Sequence, residues 1–189
     1  MAAPPNPESV ALLERFVAAL VARGVLTEAE IEAQVARPEI GAAMVARAWT
    51  DPAYRDLLLR DGSAAAEAMG VSMAGAPPLG VLESTDRVHH LVVCTLCSCY
   101  PRMVLGYPPH WYKSSAYRAR AVRDPRGVLA EWGTVLPEGV EVRVVDSTAD
   151  YRWMVLPLRP PGTEGWDAAR LAALVTRDAL VGVGLPRRP

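Results

Sequence analysis

The chain has 189 residues, a formal net charge of −1 at pH 7 and a pI near 6.3. That length suits one domain of ordinary size, and the near-neutral charge argues against a surface for nucleic acid or for an anionic membrane. No run of about 18 apolar residues occurs, and the N-terminus has no basic segment before an apolar stretch. We therefore expect a soluble, cytoplasmic protein. The apolar fraction of 51% is above typical usage, which either a buried subunit interface or a high alanine content explains.

The first part of the chain, residues 1–72, is predicted to be helical. An apolar stripe with helical period begins near Glu8 and stops at Gly24. Thr27–Glu30 has the pattern of a capping box that opens a second helix, and Pro38 is predicted to end it. These two helices fit either an arm that grips a partner or a packed αα-hairpin. Three further helices are predicted over residues 42–49, 51–62 and 63–69.

The second part, residues 73–189, is predicted to form an α+β domain. Leu91–Val93 is a short apolar strand, and Val140–Val145 alternates as a half-buried strand does. Arg152–Pro157 is the expected antiparallel neighbour of that second strand, across a turn at Ser147–Asp150. Helices are predicted over residues 114–122, 125–132 and 167–175, with a candidate final strand at 181–183. The predicted fold class is therefore α+β, with strands between helical layers.

All three cysteines of the chain lie within the six residues Cys94–Cys99. An odd number cannot pair completely within the chain, and three thiolates this close together can converge on one soft or borderline metal ion. The single residue between Cys97 and Cys99 brings the backbone amides of Ser98 and Cys99 close to such an ion. A backbone amide binds a metal only when deprotonated, which requires a strongly Lewis-acidic trivalent ion. The segment therefore predicts a metal site.

Three other interpretations of the cysteines remain open. A structural zinc site would need a fourth ligand, and only His89 or His90 is near in sequence. Adjacent residues of a strand face opposite sides, so at most one of these histidines points to the site, and ordinary packing or a surface role is favoured for the pair. A redox pair of the CxxC type would leave Cys99 unexplained. Inert buried thiols would not be expected to cluster.

The run Val92–Pro101 resembles the metal-binding motif of the nitrile hydratase α-subunit family. The resemblance implies a layered α-β-β-α sandwich with an N-terminal helical arm, so that residues 73–189 would be the metal-binding catalytic domain. It is weakest before about Val45 and between Gly70 and His90. It continues through 111–114, 117–118, 126–129, 146–147, 152–157, 159–160, 162–165 and 175–178.

The resemblance also implies a metal and its ligands. In this family Thr after the first cysteine marks the cobalt type, so Thr95 implies non-corrin Co(III) bound by Cys94, Cys97, Ser98 and Cys99. Matching positions imply that Cys97 becomes cysteine sulfinic acid and Cys99 cysteine sulfenic acid, and both are the candidate catalytic residues. The implied reaction is hydration of a nitrile to an amide, with Co(III) as Lewis acid. Either water or the Cys99 sulfenate is the attacking oxygen.

The implied partners are a β-type subunit of one or two chains, whose arginines bond to the oxidised cysteines, and a cobalt-loading activator protein. The residues expected to support the ligands are Thr95, Arg102, Asp146 and Arg152. Arg102 stands where common members carry Trp and is closer to the γ subunit of thiocyanate hydrolase, which hydrolyses thiocyanate to carbonyl sulfide and ammonia. Arg102 could instead be an ordinary arginine at the surface or at a subunit interface, without a role at the metal. A third hypothesis is a metal carrier without enzymatic activity.

Overall fold

The computed structural model describes the backbone of residues 7–189, and the side chains of all of these except residues 7, 9, 10 and 32–39. The chain divides into two compact units, Met1–Ala36 and Arg37–Pro189. In the described part of the chain, every helix is too short or too polar to traverse a lipid bilayer. The domain boundary predicted at residue 72 stays a prediction.

Unit 1 contains helix α1 (Pro7–Ala22) and the start of helix α2 (Glu28–Thr50). Gly24 ends the first of these helical segments with φ of +67°, as predicted. The predicted capping box is also present: the Thr27 backbone N–H donates to Glu30 at 2.8 Å, and the Glu30 N–H donates to the Thr27 hydroxyl at 3.2 Å. Local sequence therefore determines where α1 ends and where α2 begins.

Helix α2 runs without a break through Pro38, so the prediction that this proline ends a helix was wrong. The separate helix predicted over residues 42–49 is the last part of α2. A proline inside a helix costs about 3 kcal/mol. Beyond it, Met44 and Val45 are fully buried, and burying each such side chain contributes about 1.5–3 kcal/mol. Packing of the later turns therefore outweighs the local cost of the proline.

Unit 2 contains the remaining helices and all the described strands. The helices are α3 (Pro52–Arg60), α4 (Gly62–Glu67), α5 (Arg102–Leu105), α6 (Ser115–Arg123), α7 (Pro125–Glu131), α8 (Ala168–Leu174) and α9 (Arg177–Val181), with a 3-10 helix at His110–Lys113. The strands are β1 (Leu79–Glu83), β2 (Val88–Val93), β3 (Glu141–Asp146) and β4 (Arg152–Leu156). This mixture confirms the α+β class.

The strands form two parallel pairs, β1 with β4 and β2 with β3. The predicted antiparallel pairing of β3 with β4 was wrong. After β3, the Ser147 N–H donates to the Val93 carbonyl at 2.7 Å. The chain then crosses to the other pair, where the Arg152 N–H donates to the carbonyl of Pro78, the residue before β1, at 2.9 Å. The short connection between β3 and β4 suggested a hairpin, in which the two strands would pair with each other. In the structure this connection joins strands of two different sheets.

The parallel pairing of β2 with β3 determines where the cysteine loop lies. Val93, the last residue of β2, is opposite Asp146, the last residue of β3. Both strands therefore end at the same edge, and the loop that begins at Cys94 emerges beside Asp146. The long connection between the two strands supplies α5, α6, α7 and the 3-10 helix, as a parallel crossover requires.

The predicted strand at residues 181–183 was wrong, because Val181 ends α9. Gly182 follows in the left-handed conformation, with φ of +83°, and caps this helix. A Cβ atom at this glycine would lie 1.9 Å from the carbonyl oxygen of His90 on β2. The apolar run is thus a buried helix end pressed against a strand, and a short apolar run does not distinguish the two structures by itself.

Candidate metal centre

The cysteine loop begins where a fully buried strand ends. Leu91, Val92 and Val93 have no solvent exposure, and their packing fixes the position of Cys94, which is also buried. All three cysteines are free thiols; Cys99 is buried and Cys97 is exposed. Their sulfur atoms all lie within 4.8 Å of one another. The strand therefore delivers a preformed cluster of sulfur donors to the edge of the sheet.

The distances between neighbouring sulfurs show whether these atoms are close enough to share one ion. Cys94 Sγ lies 3.5 Å from Cys97 Sγ, which lies 3.2 Å from Cys99 Sγ. Two sulfurs that each lie about 2.3 Å from one ion, the zinc–sulfur length, are about 3.3 Å apart at a right angle and about 3.8 Å apart at the tetrahedral angle. The first distance lies midway between these values and the second is close to the right-angle value, so both neighbouring pairs are close enough to share one ion.

The three thiols differ in their electrostatic surroundings. Hydrogen bonds from the neighbouring thiols of Cys99 and Cys94, together with the backbone at Ser98, lower the pKa of Cys97. Burial, followed by the contact with Cys97, raises the pKa of Cys99 to about 12. A buried thiol of this kind becomes a thiolate only beside a compensating positive charge, and a bound metal ion supplies one.

Asp146 and Thr95 are in direct contact at the start of the loop. The Thr95 backbone N–H donates to Asp146 Oδ1 at 2.9 Å, and its hydroxyl donates to Oδ2 of the same carboxylate. Arg118 of α6 donates to the Thr95 carbonyl at 3.2 Å. The carboxylate thus holds the start of the loop, and the predicted role of Thr95 and Asp146 in supporting a bound metal stays a prediction.

Two buried tyrosines bond to the backbone at and before the loop. Tyr112 donates its hydroxyl to the Cys99 carbonyl at 2.9 Å, and Tyr117 donates to the Val92 carbonyl at 2.9 Å. Burial raises the pKa of both phenols above the ordinary range, so both remain protonated donors. The sequence placed Tyr112 and Arg118 on a cationic face expected to be solvated or to meet another subunit, and it gave neither tyrosine nor Arg118 a role at the cysteine loop, because contacts this distant along the chain leave no local pattern. The available signals were the family resemblance at 111–114 and 117–118 and the need of a buried tyrosine hydroxyl for a partner.

A cavity of about 300 Å³ opens beside the second half of the loop. It brings the predicted residues Arg102 and Arg152 next to Cys97 and Cys99, whereas Cys94, Thr95 and Asp146 are not part of its lining. The Arg102 guanidinium lies 5.5 Å from the centre of the Tyr107 ring. The lining residues are Cys97, Ser98, Cys99, Tyr100, Arg102, Tyr107, Pro108, Lys113 and Arg152.

The two histidines do not join the cluster. His89 is buried, with Nε2 2.7 Å from the Gly182 carbonyl oxygen, and burial lowers its pKa. His90 is half-buried, and its backbone N–H donates to the Ser84 hydroxyl at 3.1 Å. Over the residues that the structure describes, the three cysteines are the only group of three or more candidate ligands. The packing role that we favoured for the histidines fits this placement.

A compact cluster of three thiols at the edge of a parallel strand pair defines a candidate metal-binding protein. Comparison with known proteins identifies which one. A profile described as "Nitrile hydratase, alpha chain" matches residues 8–184. The chain is 49% identical over 190 residues to the low-molecular-weight cobalt-containing nitrile hydratase α subunit of Rhodococcus rhodochrous, covering 97% of this chain and 92% of the relative.

Two further proteins are similar to this chain along most of its length. The thiocyanate hydrolase γ subunit of Thiobacillus thioparus is 48% identical over 161 residues, covering 79% of this chain and 66% of the relative. The structure of a double histidine mutant of the Fe-type nitrile hydratase from Comamonas testosteroni Ni1 superposes with a TM-score of 0.78 at 41% identity, covering 98% of this chain and 94% of that one. The chain belongs to the nitrile hydratase α-chain family, which confirms the resemblance found in its sequence.

Proposed function

We propose that this chain is the metal-bearing α subunit of a cobalt-type nitrile hydratase, which hydrates a nitrile to the amide. The observation that carries the proposal is the cluster of three thiols within 4.8 Å in a chain 49% identical to a cobalt-containing α subunit. The layered α-β-β-α arrangement, the N-terminal arm and a cytoplasmic location belong to the same proposal. A reducing compartment would keep the three thiols available for the metal.

The residues that would hold the cobalt ion are the thiolates of Cys94, Cys97 and Cys99, with the backbone nitrogens of Ser98 and Cys99. The short separations between neighbouring sulfurs, 3.5 Å and 3.2 Å, support three sulfur donors to one ion. When bound, trivalent cobalt supplies Lewis acidity, which makes the carbon of a nitrile more electrophilic.

The chain's own groups would orient the ligands and line the substrate cavity. Asp146 holds the Thr95 peptide and hydroxyl, which limits movement of the loop between the first two cysteines. Arg102 and Arg152 add positive charge beside Cys97 and Cys99 in the cavity of about 300 Å³. Sulfur oxygens on those two cysteines would then accept charge-assisted hydrogen bonds.

Oxidation of two cysteines is part of the proposal. Cys97 would carry two oxygens as sulfinic acid and Cys99 one oxygen as sulfenic acid, while Cys94 stays a thiolate. Cys97 is exposed and has a lowered pKa, which favours its reaction with an oxidant. Intact mass of the mature chain measures this directly, because three added oxygen atoms mark the full modification.

The partners would be a β-type subunit, of one or two chains, and an activator that loads the cobalt. Arginines of the β-type subunit would donate to the oxidised sulfurs from the open side of the loop. Exposed Cys97 supports this arrangement, since it leaves the second sulfur accessible to another chain. The substrate would be a small nitrile.

A second candidate function is hydrolysis of thiocyanate by the same kind of centre. Arg102 in the cavity beside the cysteines favours it, as does 48% identity to a thiocyanate hydrolase γ subunit. The cobalt-containing nitrile hydratase relatives cover more of the chain, which favours the first function.

The test is coexpression of the chain with its β-type chains and activator in cobalt medium. The assembled complex is given a nitrile and, separately, thiocyanate. Amide formation supports the first function, and release of carbonyl sulfide supports the second. A complex that contains cobalt and oxidised cysteines yet performs neither reaction would contradict both and favour a metal carrier.

A further inference from the structure

The far end of the cysteine loop is held by a residue that lies 13 positions away. Tyr112, in the 3-10 helix, has no solvent exposure. Its hydroxyl donates to the carbonyl oxygen of Cys99 at 2.9 Å. Its ring also packs edge-on against Tyr100, the residue after Cys99, with 5.0 Å between ring centres. One buried side chain therefore contacts both residues of the peptide unit that leaves the cluster.

A hydrogen bond to the Cys99 carbonyl fixes the orientation of the peptide that follows Cys99. That orientation in turn affects where the Cys99 sulfur lies. Cys99 carries the last of the three donors, and its Sγ lies 3.2 Å from that of Cys97. A rotation of the following peptide plane would turn the Cys99 backbone and move this sulfur relative to the other two. At the opposite end, Asp146 fixes Thr95. The loop is thus secured at both ends by elements outside it.

We propose that Tyr112 is a positioning residue for the metal centre: its hydroxyl bond to the Cys99 carbonyl presets the third sulfur for the ion before the ion binds. The inference rests on the proposed function only in taking cobalt as the metal. Residues that do not bind a metal themselves can still raise its affinity, because their hydrogen bonds hold the ligands in the binding orientation.

Tyr117 is a matched control within the same aromatic cluster. It too is buried, and it donates to a backbone carbonyl, that of Val92, at the same distance of 2.9 Å. Its ring contacts Trp111 at 4.9 Å and Tyr112 at 5.9 Å. Replacing either tyrosine by Phe removes a buried hydroxyl and keeps the ring. Tyr112→Phe also removes a side-chain hydrogen bond with Ser147, and only Tyr112→Phe releases the peptide next to a sulfur donor.

The experiment compares cobalt binding by the unaltered, Tyr112→Phe and Tyr117→Phe complexes, each assembled with the β-type partner. Complexes made without cobalt are titrated with Co²⁺ under anaerobic reducing conditions, and bound metal and sulfur-to-cobalt absorption are followed. We expect the half-saturating Co²⁺ concentration to rise about tenfold for Tyr112→Phe and to stay close to the unaltered value for Tyr117→Phe. Both variants should lose thermal stability, and Tyr112→Phe should lose more because its hydroxyl also bonds to Ser147. Introducing 4-aminophenylalanine at position 112, which restores a donor, should restore binding.

The readouts separate this inference from the proposed function. Metal binding is measured without turnover, so a complex that hydrates no nitrile would contradict the function and leave the comparison of tyrosines intact. Equal cobalt binding by the Tyr112→Phe and unaltered complexes would overturn the inference. Equal weakening in both Phe variants would overturn it as well, as would failure of Tyr112→Phe alone to assemble, because each result assigns Tyr112 a general structural role.

Discussion

The contact between Gly182 and β2 makes a quantitative prediction for Gly182→Ala. The glycine has φ of +83°, and an added Cβ would lie 1.9 Å from the His90 carbonyl oxygen, which is backbone and cannot swing away. A left-handed alanine costs about 1–2 kcal/mol, and overpacking typically adds about 1–3 kcal/mol. We therefore expect Gly182→Ala to destabilise the fold by about 3 kcal/mol in total.

Gly70→Ala separates the two causes. Gly70 has nearly the same backbone angle, φ of +80°, but no atom lies within 4 Å of an added Cβ. This variant should therefore lose only the conformational part, about 1 kcal/mol. For a chain of this size each kcal/mol lowers Tm by about 2–4 °C. The expected fall is thus about 6–12 °C for Gly182→Ala and about 2–4 °C for Gly70→Ala.

Thermal unfolding followed by circular dichroism measures both variants beside the unaltered protein. Because β2 leads directly to Cys94, Gly182→Ala should also weaken cobalt binding, whereas Gly70→Ala should not. Equal falls in Tm for the two variants would refute the contact between Gly182 and His90 as the source of the larger effect.

Three other predictions concern the centre and its support. Cys99→Ala should abolish turnover and remove one sulfur oxygen from the intact mass; surviving activity would exclude the sulfenate from the reaction. Asp146→Ala should raise the half-saturating Co²⁺ concentration about tenfold by releasing Thr95, whereas the exposed control Asp150→Ala should not, and equal binding by both variants would count against Asp146. Burial lowers the pKa of His89 below 6.5, so the unfolded chain binds more protons below that pH and stability should fall on acidification. Urea unfolding between about pH 7 and pH 5 should therefore show a smaller loss for His89→Gln, and an unchanged slope would contradict this.

Local sequence predicted the helices well where capping residues mark their ends. Asp51, Asp124 and Asp167 each accept a backbone N–H at the start of a helix, which is the pattern that a sequence can reveal. The predictions were wrong where contacts between residues distant in sequence outweigh the local preference of the chain. Pro38 did not end α2 because later turns of that helix are buried, and residues 181–183 form a helix end because Gly182 lies against β2.

The cluster Cys94–Cys99 and the prediction of a metal site there came from the sequence alone. The identities and spacing of three thiols over six residues limit the ligand geometry, and that information is local. The tertiary structure decided what surrounds them. Parallel pairing of β2 with β3 placed Asp146 beside Thr95, and the crossover brought Tyr112 to the Cys99 carbonyl. Such contacts arise from burial and strand register summed over the whole chain, and no local pattern encodes them.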